Sequence, residues 1–172
     1  MKNSILFAAW LVHTAALGGD LAVAPGQRHA SAHLTALDSG QVEGTVEFIQ
    51  RGKSLQVLAN LSGLTPGLHA FHLHQHGNCA GATAVGANYD PSGIGSGVRS
   101  EHHGGEFGAI QVDEQGHASL NMLVEGINLA DEGTIGSVLG RSIVVHSSPD
   151  DFAAWPAPGK GKTLACGVIR AI

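Results

Sequence analysis

The chain has 172 residues, enough for one domain with a hydrophobic core. Only 13% of the residues are charged and the formal net charge is −5, which argues against nucleic acid as a partner. Histidine is the unusual residue, because its 11 copies outnumber the 9 lysines and arginines.

Residues 1–19 have the pattern of a secretory signal peptide. Lys2 supplies the positive start, and the apolar stretch 5–19 ends in small residues. The stretch is too short to span a bilayer, and an amphipathic first helix is the less favoured alternative. We expect cleavage after Gly18 or Gly19, a flexible leader over 20–29, and a secreted product, either extracellular or periplasmic.

Short alternating segments separated by turn residues follow the leader. They predict strands at 31–37, 42–49, 55–61, 69–74, 110–113, 117–124, 142–146 and 164–169. About eight short strands at roughly ten-residue spacing are typical of a β-sandwich or a Greek-key barrel. Two long turn-rich segments, 77–108 and 147–162, lie between the strands, and long loops in a compact domain are usually functional or disordered.

The fourth predicted strand has the densest histidine pattern, "HAFHLHQH". Residues two apart in a strand face the same side, so His72 and His74 project together, and His76 continues their spacing. A later strand ends in His146. Imidazole suits copper and zinc, so these side chains are metal-ligand candidates, although surface histidines are an equal alternative on spacing alone.

The two cysteines, Cys79 and Cys166, allow only one pairing. In a secreted chain an even cysteine count predicts a disulfide. Two unpaired buried thiols are the alternative, and they would fit a cytosolic protein better.

Several motifs together resemble the copper/zinc superoxide dismutases. They are "GLHAFHLHQHGNC", "GANYDPSG", "HGGEFGAI", "GRSIVVH" and "LACGVI", in the order that the family has them. The resemblance covers about 30–172. It implies an all-β domain, an eight-stranded antiparallel Greek-key barrel or sandwich with two long functional loops.

By this resemblance, His72, His74 and His146 occupy positions of copper ligands. Cys79 and Cys166 match the family's disulfide, which ties a metal-site loop to the C-terminal strand. Asp150 matches a carboxylate that links the copper and zinc histidines, and such a partner orients a ligand and fixes its tautomer.

The zinc positions depart from the family pattern. Asn88 replaces the histidine that bridges copper and zinc, and an amide oxygen cannot become an imidazolate bridge. The next zinc histidine would fall in 92–100, which contains none. His103 stands at the third zinc histidine, and Glu106 replaces an aspartate. Because the alignment between 92 and 102 is loose, His102 or His103 could instead serve as a different family ligand. We therefore expect copper as the cofactor and no zinc in the family's form.

A further departure precedes the last strand. The family has an arginine there, which attracts and positions the superoxide anion. This sequence has Thr163, with Lys162 beside it. Lys162 is a weak catalytic candidate for anion attraction, because an ammonium lacks the planar fork of a guanidinium.

Two functions fit these observations. The first is a secreted copper-binding superoxide dismutase with an impaired copper-only site and superoxide as its substrate. The second is a non-enzymatic metal-binding, carrier or structural protein on the same fold. An extra site built from His76, His102, His103 and Glu106 is less favoured than a solvated polar loop, and His29, His33 and His117 are expected at the surface. Family members often form dimers, which suggests a homodimer that no sequence pattern tests.

Overall fold

The computed structural model describes residues 26–91, 106–149 and 161–172. These residues form nine strands: β1 (His29–Ala36), β2 (Glu43–Arg51), β3 (Ser54–Ser62), β4 (Gly67–His74), β5 (Glu106–Val112), β6 (Ala118–Val124), β7 (Ser142–His146), β8 (Thr163–Val168) and β9 (Arg170–Ala171). No helix in this part of the chain is long and apolar enough to cross a bilayer.

Eight of the strands close into one antiparallel barrel. Neighbouring strands follow the order β2-β3-β6-β5-β4-β7-β8-β1, and β1 pairs back with β2. The two-residue β9 pairs with β1 beyond the end of β8. The predicted eight-stranded antiparallel Greek-key barrel is therefore confirmed.

Alternation along the strands separates the barrel interior from its outer face. On β2, Val46 and Phe48 are fully buried in the main core. On β4, Phe71 and Leu73 enter the same core. Because side chains alternate, the intervening His72 points away from this core, although it too is fully buried. Residues on the outer side of the barrel wall must therefore shield His72 from solvent.

β4 lies between β5 and β7, and this arrangement positions the histidines of β4 and β7. Its first half pairs with β5, and its second half pairs with β7, with Phe71 opposite Val145 and His74 opposite Ser142. The backbone N–H of Ala70 donates to the carbonyl oxygen of Ser148, 3.0 Å away, just after β7 ends. The C-terminal end of β7 is thus held beside the middle of β4.

Some strand bounds differ from the sequence prediction. β7 begins and ends as predicted, whereas β5 begins at Glu106, four residues before the predicted start. Gly108 has a φ of 77°, and the pairing of β4 with β5 shifts register between Ala70 and His72. Both irregularities interrupt the two-residue period, so alternation alone could not reveal the start of β5.

Candidate metal centre

Three histidines from two adjacent strands form one buried cluster. β4 contributes His72 and His74, and β7 contributes His146 at its last position; each is at most 2% exposed. One ring nitrogen from each lies within 4.8 Å of the others. Within the described ranges this is the one group of three or more histidine, cysteine or acidic side chains close enough to share a metal ion.

The ring of His74 is oriented by a loop carbonyl. Its Nδ1 lies 2.9 Å from the carbonyl oxygen of Gly86. A carbonyl oxygen can only accept a hydrogen bond, so Nδ1 carries the proton and Nε2 carries the lone pair. This tautomer would present Nε2, rather than Nδ1, to a metal ion.

A fourth buried histidine, His69, contacts the backbone of one member of the cluster. It was not identified as a functional residue from the sequence. His69 is 1% exposed, and its Nδ1 lies 2.7 Å from the carbonyl oxygen of His146. Its Nε2 lies 3.3 Å from the hydroxyl oxygen of Thr65, which can donate to this nitrogen when Nδ1 carries the proton. His69 therefore joins the turn before β4 to the backbone of a candidate ligand. Its sequence position indicates only that it faces the core, because its partner is 77 residues away.

Asn88, which the family resemblance is expected to place at the bridging-histidine position, lies beside the cluster. Its amide nitrogen is 3.4 Å from Nδ1 of His72, and its backbone forms an isolated β-bridge with His74. The flanking backbone follows the same antiparallel course, with the N–H of Gln75 donating to the oxygen of Ala87 and the N–H of Tyr89 donating to the oxygen of Leu73. The loop therefore brings an amide to the edge of the cluster.

The predicted disulfide is confirmed and fastens this loop to the barrel. Cys79 and Cys166 are bonded, with their Cα atoms 5.6 Å apart. Beside the bond, Val85 of the loop and Val144 of β7 are buried in a small apolar cluster with Cys166. Because Val144 and His146 are two residues apart on β7, this cluster lies on the same outer side of the barrel wall as the histidines.

Thr163 and Lys162 lie next to His146. In the β7–β8 pairing Thr163 is opposite His146, and the backbone N–H of Ser147 donates to the carbonyl oxygen of Lys162 at 2.8 Å. Lys162 is exposed. Thr163 therefore lies beside the last histidine of the cluster.

The structure describes only some of the remaining candidate residues. His103, His102 and Asp150 lie outside the described residues, as do residues 1–25, which hold the expected signal peptide and most of the leader. Glu106 is described as the first residue of β5, where it is opposite His72. His76 lies beyond the end of β4, is exposed and does not join the cluster.

The donor set of the cluster fits copper. Three imidazole nitrogens suit copper as well as zinc, and copper(II) binds most tightly among the divalent metals of the first row. Metal–nitrogen bonds of about 2.0–2.1 Å place two ligands on one ion at most about 4.2 Å apart, so a small inward movement of the rings would suffice. The burial of all three rings also limits access by water.

Comparisons with known proteins agree with this geometry. Residues 42–169 match the family model of copper/zinc superoxide dismutase. The chain is also 32% identical over 138 residues to "Superoxide dismutase [Cu-Zn] 2" of Aquifex aeolicus (strain VF5), and the aligned region covers 76% of this chain and 81% of that relative.

Proposed function

The chain belongs to the copper/zinc superoxide dismutase family, and on that premise we propose that it is a secreted copper protein that slowly dismutates superoxide to oxygen and hydrogen peroxide without stoichiometric zinc. The observation that carries the proposal is the set of three buried histidines whose ligand nitrogens lie within 4.8 Å of one another. Such a cluster has the right chemistry for copper.

Copper bound here would supply a one-electron redox centre that accepts an electron from one superoxide and returns an electron to another. His72, His74 and His146 would hold the ion. The carbonyl oxygen of Gly86 keeps the proton of His74 on Nδ1, and His69 fixes the backbone of His146. These contacts hold the ligand rings in place before any metal arrives, which reduces the rearrangement that binding requires.

Asn88 supports the expectation of slow turnover. The reaction consumes protons, and an imidazole at this position could accept and return one. A carboxamide does not titrate in this way, so this route for proton delivery is lost. Three histidines also provide fewer ligands than copper(II) prefers, which favours the reduced ion.

The anion-binding side of the site supports the same expectation. Thr163, opposite His146, cannot bind a small anion through paired charged hydrogen bonds. Lys162 contributes a positive charge nearby, but its exposed ammonium is strongly hydrated and does not fix the orientation of superoxide.

The proposal of secretion depends on two observations. The Cys79–Cys166 disulfide is of a kind that persists in oxidising compartments. Residues 1–19 have the sequence pattern of a signal peptide.

A non-enzymatic metal-binding role on the same fold is the second candidate. Asn88 beside His72, together with Thr163 opposite His146, favours it, because both residues replace groups that the family resemblance assigns to catalysis. The histidine cluster would bind copper in either case.

Metal content and superoxide decay, measured on one sample, distinguish these functions. The protein is loaded with copper and zinc together and dialysed, its metals are analysed, and pulse radiolysis gives the rate. We expect about one copper and little zinc per chain, with a rate far below the diffusional ceiling of about 10⁸–10⁹ M⁻¹s⁻¹ that this family is known to approach. His146→Ala should abolish copper retention, whereas His33→Ala, on exposed β1 surface, should leave it unchanged.

Each possible result supports or contradicts one part of the proposed function. One tightly held zinc per chain, or no copper, would contradict the copper-only site. Copper retention with no superoxide decay above that of the His146→Ala variant would favour the non-enzymatic role. A rate near the ceiling would show that Asn88 and Thr163 do not impair the site.

A further inference from the structure

Arg141 joins three separate segments of the chain, two of which directly follow residues of the site. It directly precedes β7, and its guanidinium carbon lies 3.4 Å from the centre of the Tyr89 ring. Its Nε donates to the carbonyl oxygen of Ser137 at 2.7 Å, and a terminal nitrogen donates to the carbonyl oxygen of Gln75 at 3.0 Å. One side chain thus contacts the turn before β7, the residue after His74 and the residue after Asn88.

Tyr89 is held on its other sides as well. The residue is 8% exposed, and its hydroxyl oxygen accepts a hydrogen bond of 2.9 Å from the backbone N–H of Gly136. Its own N–H donates to the carbonyl oxygen of Leu73 at 2.8 Å. The ring face, the hydroxyl and the backbone of Tyr89 are therefore all fixed by neighbours.

This restraint bears directly on Asn88, the preceding residue. Asn88 approaches His72 through a contact of 3.4 Å, which is long for a hydrogen bond, and it approaches His74 through an isolated β-bridge. Contacts of this kind depend on how firmly the neighbouring backbone is held. Restraint at position 89 limits the backbone of position 88 because the two residues share a peptide plane.

We propose that the Tyr89–Arg141 pair positions Asn88 against His72 and His74 and thereby sets the geometry of the metal site. The pair acts through Asn88 and contacts neither the substrate nor a ligand nitrogen. Arg141 suits this role because a planar guanidinium can stack on an aromatic ring while it donates two directed hydrogen bonds, which an ammonium cannot do. The effect on copper rests on the proposed function, whereas the effect on the loop does not.

Hydrogen exchange on the metal-free protein tests the loop. In Arg141→Lys and Tyr89→Leu, the amide of Gln75, which donates to Ala87, should exchange about 10-fold faster, because the bond opens locally when the loop is no longer restrained. The amide of Val57, in the distant β3 strand, should keep its protection.

Two further variants serve as controls. Tyr89→Phe keeps the stacked ring and should retain most of the protection of Gln75. Arg51→Lys alters an arginine that also makes two side-chain hydrogen bonds, to Gln56 and Gln27, but away from the site, and it should have no effect there. Unchanged exchange at Gln75 in both test variants, or equal acceleration at Gln75 and Val57, would overturn the proposal.

A double-mutant cycle tests whether the pair acts through Asn88. Copper(II) affinity is measured by competition with a chelator, and the electron paramagnetic resonance spectrum is recorded on the same samples. Tyr89→Leu should weaken copper(II) binding by about 10-fold and alter the spectrum. In an Asn88→Ala background the same substitution should weaken binding by less than about 2-fold, because the coupled group is already gone.

The outcomes separate the two proposals. An equal loss of affinity in both backgrounds would overturn the role of Asn88. If the wild-type protein binds no copper, the proposed function fails, and hydrogen exchange at Gln75 still decides whether the Tyr89–Arg141 pair holds the loop.

Discussion

Thr163 lies opposite His146, where the family resemblance expects an arginine. A guanidinium beside the histidines would attract superoxide and bind it through paired hydrogen bonds. Thr163→Arg should therefore raise the second-order rate of superoxide decay by roughly 10-fold at low salt. The rate should also fall more steeply with ionic strength, because salt screens the attraction. Pulse radiolysis of the copper-loaded protein at two salt concentrations measures both effects.

Thr45→Arg is the matched control for this substitution. It adds the same charge at an exposed position of β2, which pairs with β1 and β3 and not with β7. Its rate should stay close to that of the wild-type protein. An equal increase in both variants would show that net charge, rather than position, controls the rate.

His69 has a structural role that can be measured without metal. His69→Ala would remove the ring N–H at Nδ1 that the carbonyl oxygen of His146 accepts and would open a cavity. The free energy of unfolding should fall by about 2–4 kcal/mol. Urea denaturation of the metal-free protein measures this loss. His117→Ala, at an exposed position, should change it by less than about 0.5 kcal/mol, and a similar small effect of His69→Ala would refute the assigned role.

The loop after β4 depends as a unit on its disulfide. The bonded cysteines are 87 residues apart, and the chain-entropy model gives a closed loop of this size about 4–5 kcal/mol of stabilisation. Cys79→Ser should lower the free energy of unfolding by about this amount and should weaken copper binding, because the bond also holds Val85 against Val144. Urea denaturation and chelator competition measure the two effects.

Reduction provides the control for this substitution. A reductant should destabilise the wild-type protein to the level of Cys79→Ser and should have no further effect on the variant. If the variant and the oxidised wild-type protein unfold at the same urea concentration, the disulfide does not stabilise the fold.

In the barrel wall as a whole, β2 and β3 approach each other closely at Gly44. This residue is opposite Leu34 of β1 and Leu61 of β3. A Cβ at this position would lie 2.7 Å from a side-chain carbon of Leu61 and even closer to the carbonyl oxygen of Asn60. Gly44→Ala should lower the free energy of unfolding by about 1–3 kcal/mol, because the strands must move apart.

Urea denaturation tests this close approach of β2 and β3, with a second glycine as the control. Gly81 does not have a positive φ, and a Cβ added to it would meet no atom within 4 Å, so Gly81→Ala should leave the free energy of unfolding nearly unchanged. Equal midpoints for the two variants would contradict the idea that close approach at Gly44 limits the barrel.

Much of the fold could be predicted from the alternation of residues over short stretches of sequence. Residues two apart in a strand share a face, so the alternation at 42–49 and 55–61 identifies two strands and their core sides, and the spacing of His72 and His74 places both rings together. The disulfide could also be predicted, because two cysteines allow a single pairing. Family motifs then singled out His146 and Asn88.

Contacts between distant segments could be decided only by the tertiary structure. Pairing of β4 with β7 brings His146 close to His72 and His74. The same register brings the carbonyl oxygen of His146 within hydrogen-bond distance of His69. Arg141 and Tyr89 meet only because the loop after β4 lies along that strand. Local sequence determines which way a side chain faces, since backbone geometry repeats every two residues. Which other side chain it meets depends on strand register, and register is set by the packing of the whole barrel.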